Sequence, residues 1–140
     1  MKTFINKFFI CLTLLTSIAL ANCNNTNEDF PLELTIQDKV VLLESGEWLL
    51  KGFETNVMHT FKAGKKYTFY GSDNVFLNEA IPGTQEYTIS GEMLMINYNF
   101  GNITSYQLKF SCDNSIVKFY EDDNLNLTLY KRGSKYKSCL

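Results

Sequence analysis

Gln85-Glu86-Tyr87-Thr88-Ile89-Ser90-Gly91-Glu92-Met93-Leu94-Met95-Ile96-Asn97-Tyr98 alternates apolar and polar side chains on both sides of a Gly-Glu pair. Period-two alternation broken by a short turn is the signature of a β-hairpin. Pairing about that turn sets Ile89 opposite Leu94 and Tyr87 opposite Ile96, with all four on one face. Outward from this hairpin the pattern repeats over 47–53, 57–62, 66–70, 103–111, 115–121 and 125–131. With 86–90 and 93–98 that makes eight short strands. Turn residues separate them: Ala63-Gly64-Lys65, Asn99-Phe100-Gly101-Asn102, Cys112-Asp113-Asn114 and Asp122-Asp123-Asn124. Short connections make neighbouring strands antiparallel, in up-and-down order.

One face of the strands is apolar throughout. Around Ala63-Gly64-Lys65, the alternation predicts Phe61 opposite Tyr67 and His59 opposite Phe69. Tyr106, Leu108, Phe110, Val117, Phe119, Leu125, Leu127 and Leu129 continue that face, while Lys62, Lys66, Gln107, Lys109, Lys118, Asn126 and Thr128 occupy the other. A meander with one dry face covers it, and loses its sticky edges, by closing on itself. The expected fold class is all-β, an eight-stranded antiparallel up-and-down barrel over 34–140. Before the strands, 34–44 suits a short helix with Thr35 as cap and Asp38 at the capping-box position. Val40-Val41-Leu42-Leu43 would serve equally well as a strand.

The chain opens with Met1-Lys2-Thr3-Phe4-Ile5-Asn6-Lys7 and an apolar run from Phe8 to Leu20. This is the pattern of a secretory signal peptide over 1–22, too short for a spanning helix. Leu20-Ala21-Asn22-Cys23 resembles a bacterial lipobox, in which a lipid-modified Cys23 becomes the new N-terminus; Asn22 departs from the small residue usual there. Ala19-Leu20-Ala21 also suits the ordinary signal peptidase, which would release a secreted or periplasmic soluble protein. Without Cys11, which leaves with the signal, Cys23, Cys112 and Cys139 remain. Lipidation of Cys23 removes the odd thiol and leaves one pair for an oxidising compartment. Residues 23–33, with Asn24-Asn25-Thr26-Asn27-Glu28-Asp29, form the lipid attachment and a polar flexible tether.

Roughly 117 residues then remain, one domain with one core. Losing Lys2 and Lys7 takes the net charge from −2 to −4. That balance argues against a nucleic-acid partner, and Lys131, Arg132, Lys135 and Lys137 read as a solvated terminus. His59, the sole histidine, lacks companions for a catalytic triad or a metal site. Glu121-Asp122-Asp123-Asn124 lacks the spacing and glycine of a calcium loop. No nucleophile–base or carboxylate pair can be placed, so neither an enzyme nor a cofactor is expected.

Gly46-Glu47-Trp48 at the first strand looks like the Gly-x-Trp signature of lipocalins. His59-Thr60-Phe61, Tyr67-Thr68-Phe69, Gln85 to Gly91 and the ending Leu125 to Arg132 resemble, in that order, the strands of small bacterial lipocalin-like domains. The resemblance covers about 44–133. It implies that a basic residue of the last strand, Arg132, packs on Trp48 at the barrel floor. In such a meander Trp48, Arg132 and Cys112 share one rim, and the tail can bring Cys139 back to Cys112. A bridge there closes a loop of about 28 residues and contributes roughly 3–4 kcal/mol; the alternative is two free thiols.

The other rim is the expected mouth. Val57, Phe69, Tyr87, Tyr98, Tyr106, Phe119 and Leu125 are the inward residues assigned nearest to it, and Phe76 and Leu77 lie in the long 71–85 segment, read as a lid or as a plug for the core. Aromatic walls with a few hydroxyls suit a small apolar or amphipathic ligand. Large side chains in a barrel with short strands fill its interior equally well. Two functions follow. One is a monomeric envelope lipoprotein, anchored in the outer membrane, that carries a small hydrophobic ligand. The other is a filled barrel contacting another envelope protein, through its loops or through Tyr70, Tyr120, Met93 and Met95. Replacing Cys23 by Ser should abolish metabolic palmitate labelling and membrane retention; unchanged labelling would show that Cys23 is not the lipid site.

Overall fold

The computed structural model describes residues Glu33–Leu140. The expected signal peptide, Cys23 and nearly all of the expected tether lie outside the described residues. Helix α1 (Ile36–Glu44) begins at a complete capping box: the Thr35 hydroxyl accepts from the Asp38 N–H, and the Asp38 carboxylate accepts from the Thr35 N–H. The nine strands are β1 (Glu47–Leu50), β2 (Val57–Lys62), β3 (Lys65–Ser72), β4 (Val75–Phe76), β5 (Gln85–Ser90), β6 (Met93–Asn97), β7 (Ile103–Ser111), β8 (Ile116–Glu121) and β9 (Asn124–Lys131). Eight of them close in the order β1-β2-β3-β5-β6-β7-β8-β9, with β9 pairing back onto β1. Every ladder is antiparallel, giving the closed up-and-down barrel. The weakest join is β3–β5, where only Lys65↔Glu86 and Lys66↔Gln85 pair.

The β5–β6 hairpin has the register that the alternation predicts, with Tyr87↔Ile96 and Ile89↔Leu94. The β2–β3 hairpin does not. Ala63 and Gly64 both have positive φ, 49° and 75°, so the turn holds two residues and Lys65 belongs to the strand. Phe61 therefore faces Lys66, and His59 faces Thr68. A one-residue change of register exchanges the two faces of a strand. Lys66, expected on the wet face, enters the barrel, and Phe69 leaves it.

The lower lumen, at the end where β1 begins, is filled. Trp48, Phe61, Leu94, Ile96, Leu108, Val117, Phe119 and Leu129 are fully buried there together with Ile36 and Leu43 of α1. The helix plugs this end, packing on β2 and β7. Its last turn is held by the Trp48 indole N–H, which donates to the Leu43 carbonyl at 2.7 Å. Phe110 meets the Trp48 ring edge-on at 6.0 Å.

A second apolar cluster lies on the outer wall: Leu49, Met58, Ile116, Tyr130 and Tyr136, with Phe69 and Phe76 against it. Two straps cover it. One is the β3–β4 hairpin, which turns at Asp73-Asn74, both at positive φ, and passes close to Gly71, where an added Cβ would run into the Val75 carbonyl oxygen. The other is the C-terminal turn, whose Tyr136 stacks on Tyr130 at 4.5 Å. A Cys112–Cys139 disulfide, with Cα atoms 6.0 Å apart, ties that tail down. Trp48→Ala removes a buried aromatic and a helix-capping donor together. It should cost about 3–5 kcal/mol in chemical denaturation, and a loss below about 1 kcal/mol would contradict its place at the floor.

Candidate functional site

The upper lumen differs in chemistry from the lower. Alternation carries His59, Lys66, Thr68, Gln85, Tyr98, Thr104, Tyr106 and Glu121 to the inside at or above the level of Phe61. Val57, Thr68, Tyr98, Thr104, Glu121 and Leu127 are only half-buried, so the upper end is a shallow cup rather than a sealed core.

Lys66 is the deepest charge in the cup, 7 % exposed. Its ammonium donates to Gln85 Oε1 at 2.9 Å and lies 5.8 Å from the centre of the Tyr98 ring. Among the described residues the only ion pair is Arg132–Glu47, so Lys66 has no carboxylate partner. Burial lowers its pKa to about 8. His59 Nδ1 is 3.0 Å from Thr68 Oγ1. Burial, and then the Lys66 charge, lower the His59 pKa to about 3, so the ring is neutral at physiological pH. The Tyr98 and Tyr106 hydroxyls share a hydrogen bond of 2.9 Å. Burial and that bond hold Tyr98 well above the usual phenol range. Below them, Phe119 sits edge-on to Tyr106 at 5.6 Å and stacks with Phe61 at 6.3 Å. Tyr87, edge-on to Phe61 at 5.8 Å, gives its hydroxyl to the Glu44 carboxylate on the helix. An aromatic chain thus forms the floor of the cup and separates it from the plugged end.

Of the residues assigned to a ligand-lining wall, Val57, Tyr98 and Tyr106 face the upper lumen, where Tyr98 and Tyr106 meet, and Tyr87 and Phe119 belong to the core beneath it. Phe69 and Phe76 pack on the outer wall. Leu125 is exposed, because a bulge at Asn126 pairs it with the outward Tyr120. Leu77 is exposed beyond β4. Arg132 is not on Trp48. Its guanidinium lies 5.1 Å from the centre of the Phe76 ring, bonds Glu47 Oε2 at 2.9 Å and reaches the Asn74 carbonyl at 3.4 Å, so it clamps the β3–β4 hairpin to the barrel. The register partner of Trp48 is Lys131, one residue earlier. A Cβ added to Gly46 would meet the Lys131 stem at 3.1 Å and the Trp48 ring at 3.4 Å, which places both against that glycine. Tyr70, assigned to the outside, pairs with Val57 and stands on the lumen side of the rim, half exposed.

An open groove of about 550 Å³ runs under the β3–β4 hairpin on the outer wall, between Met58, Phe69, Phe76 and Arg132. Among the described residues, no group of three or more His, Cys, Asp or Glu is placed to hold a metal ion. Comparison with protein-family models, with curated proteins and with solved structures finds no match.

Sequence reasoning missed Lys66. The available signal was Ala63-Gly64 flanked by two lysines, which reads as a two-residue turn when a left-handed Ala63 is allowed. For His59, the depressed pKa makes the neutral ring the folded form. Its contribution is fully present above about pH 6.5 and is lost as pH falls toward about 3. Replacing His59 by Asn should flatten the loss of stability between those values. An identical pH profile for the variant would contradict its burial.

Proposed function

We propose that the protein is an exported, lipid-anchored, non-catalytic lipocalin-like barrel of the cell envelope that binds a small molecule in the cup at its open end. One observation carries the reading. The lower lumen is packed from wall to wall and plugged by α1, whereas the upper lumen is half-exposed and rich in hydroxyl, amide and charged groups. Concave sites with a few converging polar groups on apolar walls suit ligand binding. Of the apolar and amphipathic ligands expected, the polarity of the cup favours an amphipathic one, seated above the aromatic floor rather than deep in the barrel. The Gly46-Glu47-Trp48 signature at the plugged end and the eight-strand meander support the lipocalin likeness.

A second reading, an interaction module, has its own support. Phe53 and Phe100 are exposed on connections at the open end, and Val75 and Leu77 are exposed on the strap over the outer wall; exposed apolar groups mark contact sites. Native mass spectrometry of the mature protein, after incubation with a small-molecule extract of its host envelope, separates the two. The cup reading expects a reproducible bound mass that is lost when Tyr98 and Tyr106 are both replaced by Trp. No bound mass, with a co-purifying protein, would reject it in favour of the interaction module.

A further inference from the structure

A cation buried in a barrel is costly unless something offsets it. Lys66 has a partial offset. An ammonium donates three hydrogen bonds; the Gln85 amide oxygen takes one, and the Tyr98 ring faces the charge. No acid pairs with it among the described residues. The groups that face it from the surrounding strands are uncharged at neutral pH apart from Glu121. His59 on β2 is held neutral, and the phenol of Tyr98, next to β6, is held protonated. Glu121 on β8 stands on the lumen side, where it acts on Tyr98, and its Oε2 already accepts from Asn126 at 3.2 Å.

We propose that Lys66 is the anchoring residue of the cup and that the ligand is a small organic anion, a carboxylate with an apolar body, bound with its charged end inward. This rests on the reading of the cup as a small-molecule site and names the ligand class for it. The carboxylate takes ammonium N–H positions that Gln85 leaves open. The Tyr98 and Tyr106 hydroxyls lie on the same side of the lumen, and Val57, Leu50 and Leu127 give the apolar body a wall above. An anion that supplies the missing counter-charge gains a charge-assisted hydrogen bond in a partly desolvated setting. An uncharged ligand of the same shape gains only the wall contacts. The site therefore discriminates by charge, and binding weakens as Lys66 loses its proton, from about pH 8 upward.

The test compares decanoate with decanol, equal in chain length and different in charge, by equilibrium dialysis against the mature protein at pH 7. Decanoate should bind at least tenfold more tightly than decanol, and Lys66→Gln should erase that preference, while Lys62→Gln on the outer face leaves it intact. Because Lys66→Gln alters a buried site, a second readout uses the unmodified chain labelled with ¹³C at lysine Cε. The Lys66 titration midpoint, near 8 without ligand, should move upward when decanoate saturates the cup. Equal binding of both probes with an unmoved midpoint would overturn the role of Lys66 and leave the cup reading standing. No binding of either probe, with the midpoint unmoved, would overturn the anchor as well; if native mass spectrometry also finds no bound mass, the cup reading falls with it.

Discussion

A hairpin closed by Ala63 and Gly64 leaves no freedom in which side chains enter the barrel, and the chemistry of the lumen depends on that constraint. Both turn residues sit in the left-handed region, and the two-residue loop forces Lys62 opposite Lys65. Every later pair on β3 follows by alternation. A three-residue loop would have placed Tyr67 and Phe69 inside and made the cup aromatic and uncharged. The observed loop gives it Lys66, Thr68 and, opposite Thr68, His59. The same register places Phe69 on the outer wall, where an apolar stripe needs cover. The β3–β4 hairpin and the disulfide-tethered tail supply that cover.

The barrel is thus organised in two levels along its axis. At the lower level, α1 closes the opening and Trp48 links helix to strand through its indole N–H. Large apolar side chains leave that level with a structural role. At the upper level, short strands and half-exposed walls place polar groups above an aromatic floor. On the proposed function, stability and recognition are divided between the ends. Arg132 belongs to neither level. It works on the outer wall, where its bonds to Glu47 and Asn74 hold the hairpin in place.

Much of the architecture was legible in the residue pattern. The Tyr87–Ile96 hairpin, the eight barrel strands and the Thr35–Asp38 cap rest on local chemistry: alternation, turn residues and a capping box. The Cys112–Cys139 pairing followed instead from the cysteine count and the order of the strands. What escaped was parity. One residue decides it for β3, because Ala63 gives no sign that it will adopt a positive φ, which glycine or asparagine would have signalled. One residue decides it again for Leu125, through a bulge at Asn126 that strand alternation does not foresee. Arg132 and Lys131 show the same one-step ambiguity at the end of β9, where only the pairing with Trp48 tells which residue lies beside the ring. The candidate site was read less well than the fold because side-chain direction depends on these single-residue decisions.

Interstrand nuclear Overhauser effects between the backbones of β2 and β3 report directly which residues of β3 enter the barrel. Contacts that align Thr60 with Tyr67 and His59 with Thr68 are expected, leaving Lys66 inside the barrel. Contacts aligning Phe61 with Tyr67 and His59 with Phe69 would contradict that register, returning Lys66 to solvent and leaving the cup without its charge.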